Sequence, residues 1–229
     1  MKKYIAEFFG TMCLVMLGCG TAMLVGCDAA NGSGYLLTAL AFGLSIVAMA
    51  YCIGNISGCH INPAVSVAVW MRKGITTSEL IGYIIAQIIG AFAGSGLLLA
   101  IFKLGGVEDK TGGLGANGLA GVNGSVAAGL LVEILLTFFF VLCIVGVTSA
   151  KQSHGSFGGL IIGLTLTFVH IFGIGLTGTS VNPARSIAPA VLAAANGNPD
   201  PMKSLWIFIV APIIGAVLAA VVYSCLEKE

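Results

Sequence analysis

Charge is what this chain has least of: Asp, Glu, Lys and Arg together make up 8% of its 229 residues, against about 25% in ordinary soluble domains. With 58% apolar residues and a mean hydropathy of +1.05, that scarcity excludes a water-soluble globular domain and places the chain in a bilayer. The ten Lys and Arg residues are scattered and the net charge is only +1, so no basic patch offers itself to a nucleic acid. The seven cysteines contain no CxxC pair and lie mostly in apolar tracts. They read as small buried hydrophobes, not as a disulfide framework or a zinc site. Also missing are a phosphate-binding glycine loop, a metal-ligand cluster and a convergent nucleophile, base and orienting group. No enzyme activity, cofactor or metal is therefore expected.

What the chain has instead is long uncharged runs. A helix crossing roughly 30 Å of hydrocarbon needs about 20 predominantly apolar residues. The runs 8–27, 81–102 and 204–226 each have that length, and 126–150 makes a fourth, broken only by Glu133. The runs 29–71 and 152–184 stay uncharged for much longer than one crossing requires, so each must hold something besides a span. The opening Met-Lys-Lys followed by an apolar run resembles a signal peptide. A first span is the better reading, because Glu7 in this run has a counterpart in Glu133.

An internal repeat accounts for the extra length. Ser57-Gly58-Cys59-His60-Ile61-Asn62-Pro63-Ala64-Val65-Ser66 aligns with Thr177-Gly178-Thr179-Ser180-Val181-Asn182-Pro183-Ala184-Arg185-Ser186. The chain divides into halves 1–124 and 125–229, each with three full spans. An odd number of crossings makes the second half enter from the opposite face, which is an inverted repeat. The glycine-rich stretch 104–124, carrying Glu108, Asp109 and Lys110, reads as a long exposed linker. With the N-terminus inside, Lys2, Lys3, Arg72, Lys73, Lys151 and Lys228 are cytoplasmic against Lys103, Lys110 and Lys203 outside. This predicts two cytoplasmic termini.

Asn is among the strongest N-cap residues and Pro is favoured at the first helical position, so each Asn-Pro-Ala is a helix start. The helices predicted over 63–71 and 183–194 are too short to span, so each dips halfway and stops with its N-terminus near the midplane. Irregular backbone at that depth must be buried in protein or line a water-filled cavity. Two facing helix starts, each worth roughly half a positive charge, repel cations there. If Asn62 and Asn182 cap with their side-chain oxygens, both amides are free to donate to one passing water, which then donates only outward and breaks a proton wire. The carbonyls of Gly58, Cys59 and His60, and of Thr179, Ser180 and Val181, form a ladder of acceptors.

On these two segments, with Ala41-Phe42-Gly43-Leu44, Ala86-Gln87 and Gly90-Ala91, nearly the whole chain resembles the aquaporin, or major intrinsic protein, family, and within it the bacterial water-selective branch. The resemblance implies an all-α integral membrane channel of six transmembrane helices plus two re-entrant half-helices in an inverted repeat. It implies a selectivity filter of Phe42, His170, Thr179 and Arg185, with water as the permeant. Ser186 after Arg185 differs from glycerol facilitators, which usually carry Asp there. Ile209 after Phe208 departs from the Trp often found in water channels.

The family's tetramers imply a homotetramer here, in a bacterial-type plasma membrane. Glu7 and Glu133 read as supports that accept hydrogen bonds from the re-entrant backbone, against the alternative of a proton relay. His60 either lines the pore or braces its loop. The loop holding Lys151, Gln152 and His154 reads as a solvated connector. The glycines at 90, 94 and 163 serve close helix packing, within one subunit or between subunits. The competing functions are a facilitator of glycerol or other small neutral solutes and, more distantly, a secondary transporter with broken helices.

Overall fold

The computed structural model describes residues 1–27, 32–151 and 155–227; Gln152, His154 and Lys228 lie outside them. Helices are α1 (Lys2–Val25), α2 (Gly32–Ser57), α3 (Pro63–Met71), α4 (Thr77–Gly105), α5 (Val126–Val147), α6 (Gly158–Thr177), α7 (Pro183–Ala195), α8 (Asp200–Ser204) and α9 (Ile207–Leu226). Among the described residues there is no strand. Six helical stretches are long and apolar enough to cross a membrane, the last running from Asp200 to Leu226.

Local chemistry sets the helix ends. Asn62 and Asn182 cap α3 and α7 with Pro in the first position of each. Thr76 and Glu79 close a capping box on α4. Gly26, Gly106 and Gly178 end α1, α4 and α6 in the left-handed conformation. Pro189 and Pro212 fall inside α7 and α9, a position where lost backbone bonds are tolerated in membrane helices.

The packing repeats between the halves. Helix α1 lies along α4 and α2, as α5 lies along α9 and α6, while α2 crosses α6. Each half-helix also packs across the molecule, α3 on α9 and α7 on α4. This is the pattern of an inverted internal repeat, with six membrane-crossing helices and two re-entrant half-helices.

Small residues bring the backbones together inside one chain. A Cβ at Gly90 would lie 2.2 Å from the Phe8 carbonyl oxygen, and one at Gly94 2.7 Å from that of Met12. Gly43 and Gly163 face each other at the α2–α6 crossing, each Cβ position within 2.6 Å of the other's carbonyl oxygen. The open choice for residues 90, 94 and 163 thus resolves to packing within the chain. The outer faces stay apolar, with Phe168 73% and Phe172 65% exposed on α6.

One expectation is corrected. The linker over 104–124 is exposed in part only: Leu114 and Asn117 are buried. The Asp109 carboxylate accepts from the Thr111 amide and hydroxyl and from the Leu114 amide. Those bonds close a tight turn, which the Lys110 amide ties to α1 by donating to Met23 O; glycine richness misled because here it permits that turn against the helices.

Candidate functional site

The two Asn-Pro-Ala segments meet in the interior. The Asn62 side-chain oxygen accepts from the Ala64 amide at 2.8 Å, and that of Asn182 from the Ala184 and Arg185 amides at 3.1 and 3.3 Å. Their amide nitrogens reach across the junction, Asn62 Nδ2 donating to Val181 O at 2.7 Å and Asn182 Nδ2 to Ile61 O at 3.0 Å. Each amide thus holds the opposite loop with one hydrogen and retains a second, which it can donate elsewhere. Val181, expected as a rung of the carbonyl ladder, spends one lone pair of its oxygen on Asn62.

The backbone leading to each junction is strained in the same way. Gly58, Cys59 and Ile61 have φ of 86°, 52° and 42°, and Gly178, Thr179 and Val181 have 74°, 46° and 46°. A non-glycine residue there costs on the order of 1–3 kcal/mol, most for β-branched ones, and persists only when its surroundings enforce it. Two carboxylates do so. Glu7 accepts from the amides of His60 (2.9 Å) and Ile61 (2.6 Å), the Ser57 hydroxyl (2.6 Å) and Gln87 Nε2 (2.7 Å). Glu133 accepts from the amides of Ser180 and Val181, both at 2.9 Å, and the Thr177 hydroxyl at 2.6 Å. Both are fully buried, and each accepts three bonds from its re-entrant loop.

A vestibule of about 410 Å³ opens at the end bearing both termini, bordered by Cys59, His60, Arg72, Ser149 and Glu227. Ile46, His60 and Phe140 line both it and a constriction of about 10 Å³, room for about one water. The constriction also touches Phe42, His170, Asn62, Asn182 and Arg185. His60 both lines the cavity and is braced, its Nδ1 lying 3.1 Å from the Ser66 hydroxyl.

Phe42 and His170 stack with ring centroids 4.5 Å apart, and the Arg185 guanidinium carbon lies 4.9 Å from the Phe42 centroid. His170 Nδ1 sits 2.9 Å from the Leu166 carbonyl, which only accepts, so Nδ1 carries the proton and Nε2 is left free. His170 Nε2, Thr179 Oγ1 and Arg185 Nε are buried with no partner among the described residues. Thr179 is buried against Gly173 and is not part of the constriction's lining.

Arg185 is held by more than the backbone carbonyls its cost at this depth implies. Its Nη1 donates to Gly115 O at 2.9 Å and to Asn117 Oδ1 at 2.8 Å, and Nη2 to Gly178 O at 3.4 Å. Asn117 also accepts from the Ser186 hydroxyl and donates to Thr177 O. Sequence reasoning missed Asn117 because no spacing links it to a residue 68 positions on.

A vestibule that shares its lining with a water-sized constriction, set between two helix starts and beside a fixed cation, is the architecture of a membrane channel. Residues 1–223 match the family model described as Major intrinsic protein, and the chain belongs to that family. It is 42% identical over 226 residues to Aquaporin Z of Brucella melitensis biotype 1, covering 97% of this chain and 96% of that one. Aquaporin Z of Bradyrhizobium diazoefficiens is 40% identical over 232 residues, with 100% and 95% covered. The Glycerol uptake facilitator protein-like 6 of Lactiplantibacillus plantarum is 42% identical over 220 residues, with 96% and 95% covered. The fold matches the solved structure of an aquaglyceroporin from Plasmodium falciparum with a TM-score of 0.87 at 22% identity, over 99% of this chain and 96% of that one.

Proposed function

We propose that this chain is a passive water channel that conducts water along osmotic gradients and excludes protons and ions without any catalytic step. The observation that carries it is the constriction of about 10 Å³ between Phe42, His170 and Arg185. A water entering there finds the free His170 Nε2 as acceptor and Arg185 as donor, replacing bonds that burial would otherwise cost it. At the junction, Asn62 and Asn182 each offer one remaining amide hydrogen to the water oxygen, which turns its own hydrogens outward and breaks the proton wire. The carbonyls of Gly58, Cys59, His60, Thr179 and Ser180 supply acceptors along the path. The helix starts and Arg185 raise the barrier to cations.

We read the halves 1–124 and 125–229 as the repeat units, and the protein as a homotetramer in a bacterial-type plasma membrane, with native mass as the check on four copies. Both termini are assigned to the cytoplasm, because Lys2, Lys3, Arg72, Lys73 and Lys151 outnumber Lys103, Lys110 and Lys203.

The test is stopped-flow light scattering on proteoliposomes shrunk with an impermeant osmolyte, alongside a trapped pH dye. Water flux well above that of empty vesicles, with low activation energy and no added proton leak, is expected. Flux that saturates, or that is coupled to an ion gradient, would replace the channel with a transporter. The glycerol reading is favoured by the relative from L. plantarum, and a glycerol gradient in the same apparatus separates the two.

A further inference from the structure

We propose that Gly18 is a positioning residue of the selectivity filter: its lack of a side chain on α1 lets Phe42 stand back from the lumen. The inference rests on the water-pore reading above. A Cβ at Gly18 would lie 2.4, 2.5 and 2.7 Å from Phe42 Cε1, Cδ1 and Cζ, far inside the ~3.5–4.0 Å at which carbons rest against each other.

The ring has little room elsewhere. It is 1% exposed, its face stacks on His170 at 4.5 Å, and the Arg185 guanidinium carbon sits 4.9 Å from its centroid. Helix α1 backs the ring, so a methyl group there drives it towards His170 and Arg185. The opening on that side is about 10 Å³, and a shift of about 1 Å removes the space a water needs.

A glycine that merely packs helices makes a different prediction. Its alanine variant lowers the amount of folded protein, and trimming Phe42 restores nothing. Gly20 is the control: its Cβ would meet Leu98 Cδ2 at 2.8 Å, the movable end of a side chain outside the filter.

The experiment is a double-mutant cycle of Gly18→Ala and Phe42→Leu with Gly20→Ala alongside. It reads water permeability per folded channel in proteoliposomes and melting temperature in detergent. We expect Gly18→Ala to lose water flux by about tenfold, and Gly18→Ala/Phe42→Leu to return to within about twofold of Phe42→Leu alone. Gly20→Ala keeps the wild-type flux. Folding of the double variant where Gly18→Ala alone does not fold would establish the contact but count Gly18 as a packing residue and not a positioning one.

Wild-type flux in Gly18→Ala would overturn the inference, as would the same loss in both Phe42 backgrounds, or folding failure in both while Phe42→Leu folds. A melting temperature that couples while flux does not would reduce Gly18 to a packing residue. Wild-type vesicles no faster than empty ones sink the water-pore reading itself, an outcome distinct from all of these.

Discussion

The two re-entrant loops share one support and differ in what they present to the pore. In both, a buried carboxylate takes two consecutive amides and a hydroxyl: Glu7 with Ser57, His60 and Ile61, and Glu133 with Thr177, Ser180 and Val181. In both, an Asn starts the half-helix and grips the other loop. After the Asn-Pro-Ala, Val65 in the first copy corresponds to Arg185 in the second, and before it Cys59 corresponds to Thr179. The first copy borders the 410 Å³ vestibule and, through His60 and Asn62, also the 10 Å³ constriction, whereas the second borders the constriction alone. The backbone machinery is thus duplicated, while one copy alone adds a buried cation, Arg185, held by the loop carrying Gly115 and Asn117.

Removing a support breaks the comparison most severely. Glu133→Ala orphans two buried amides and a hydroxyl at roughly 1–3 kcal/mol each and releases strain at Thr179 and Val181. Glu7→Ala does the same to Cys59 and Ile61 and frees Gln87 as well. Both variants are expected to melt far below wild type in detergent or to fail to assemble. A wild-type melting curve for either would refute the shared support.

Arg185→Val, which gives the second copy the residue of the first, should leave the fold intact and raise glycerol and cation leak by about tenfold, the order expected for losing one partly screened charge. Vesicle swelling and ion-flux dyes read this directly, and unchanged leak would place discrimination elsewhere. Asp109→Ala acts one step back, freeing the loop that brings Gly115 O and Asn117 to Arg185. A rise of about twofold to threefold in glycerol flux is expected, with water flux unaltered. Equal loss of both fluxes would make Asp109 a general fold residue.

The smallest effect belongs to the vestibule's rim. Glu227 accepts from the Ser149 hydroxyl and pairs with Arg72, and these partners, Ser149 first, hold its carboxyl below the usual value of 4.5. Because the folded value is depressed, the tie contributes in full above the unfolded value and is lost as pH falls through the folded one. Wild type and Glu227→Gln should therefore keep a constant small difference in melting temperature from neutral pH down to about 5, converging only in stronger acid. A difference that changes between pH 7 and 6 would contradict the assignment.

The spans, the half-helices and the two Glu supports were legible because each writes a local signal: an uncharged run, a cap followed by Pro, an acid in an apolar span. The repeat even displayed the hydroxyl pair Ser57 and Thr177, whose bonds to the carboxylates appear only in three dimensions. The grip of each Asn on the opposite loop was not legible, since nothing in either tripeptide says how closely the two approach. Asn117 was hidden for the same reason, in a loop whose glycines and charges resemble those of any solvated connector. Gln87 stood in a recognised string, but its service to Glu7 needs the α1–α4 contact that Gly90 permits.

The most direct test of the central claim compares water and glycerol permeability in proteoliposomes of the wild type and of His170→Gly with Phe42→Trp. The account predicts a wild type that passes water and not glycerol, and a double variant that gains glycerol flux on the same loops. A wild type that passes glycerol as readily as water would contradict it, and the constriction at Phe42, His170 and Arg185 would not be what selects.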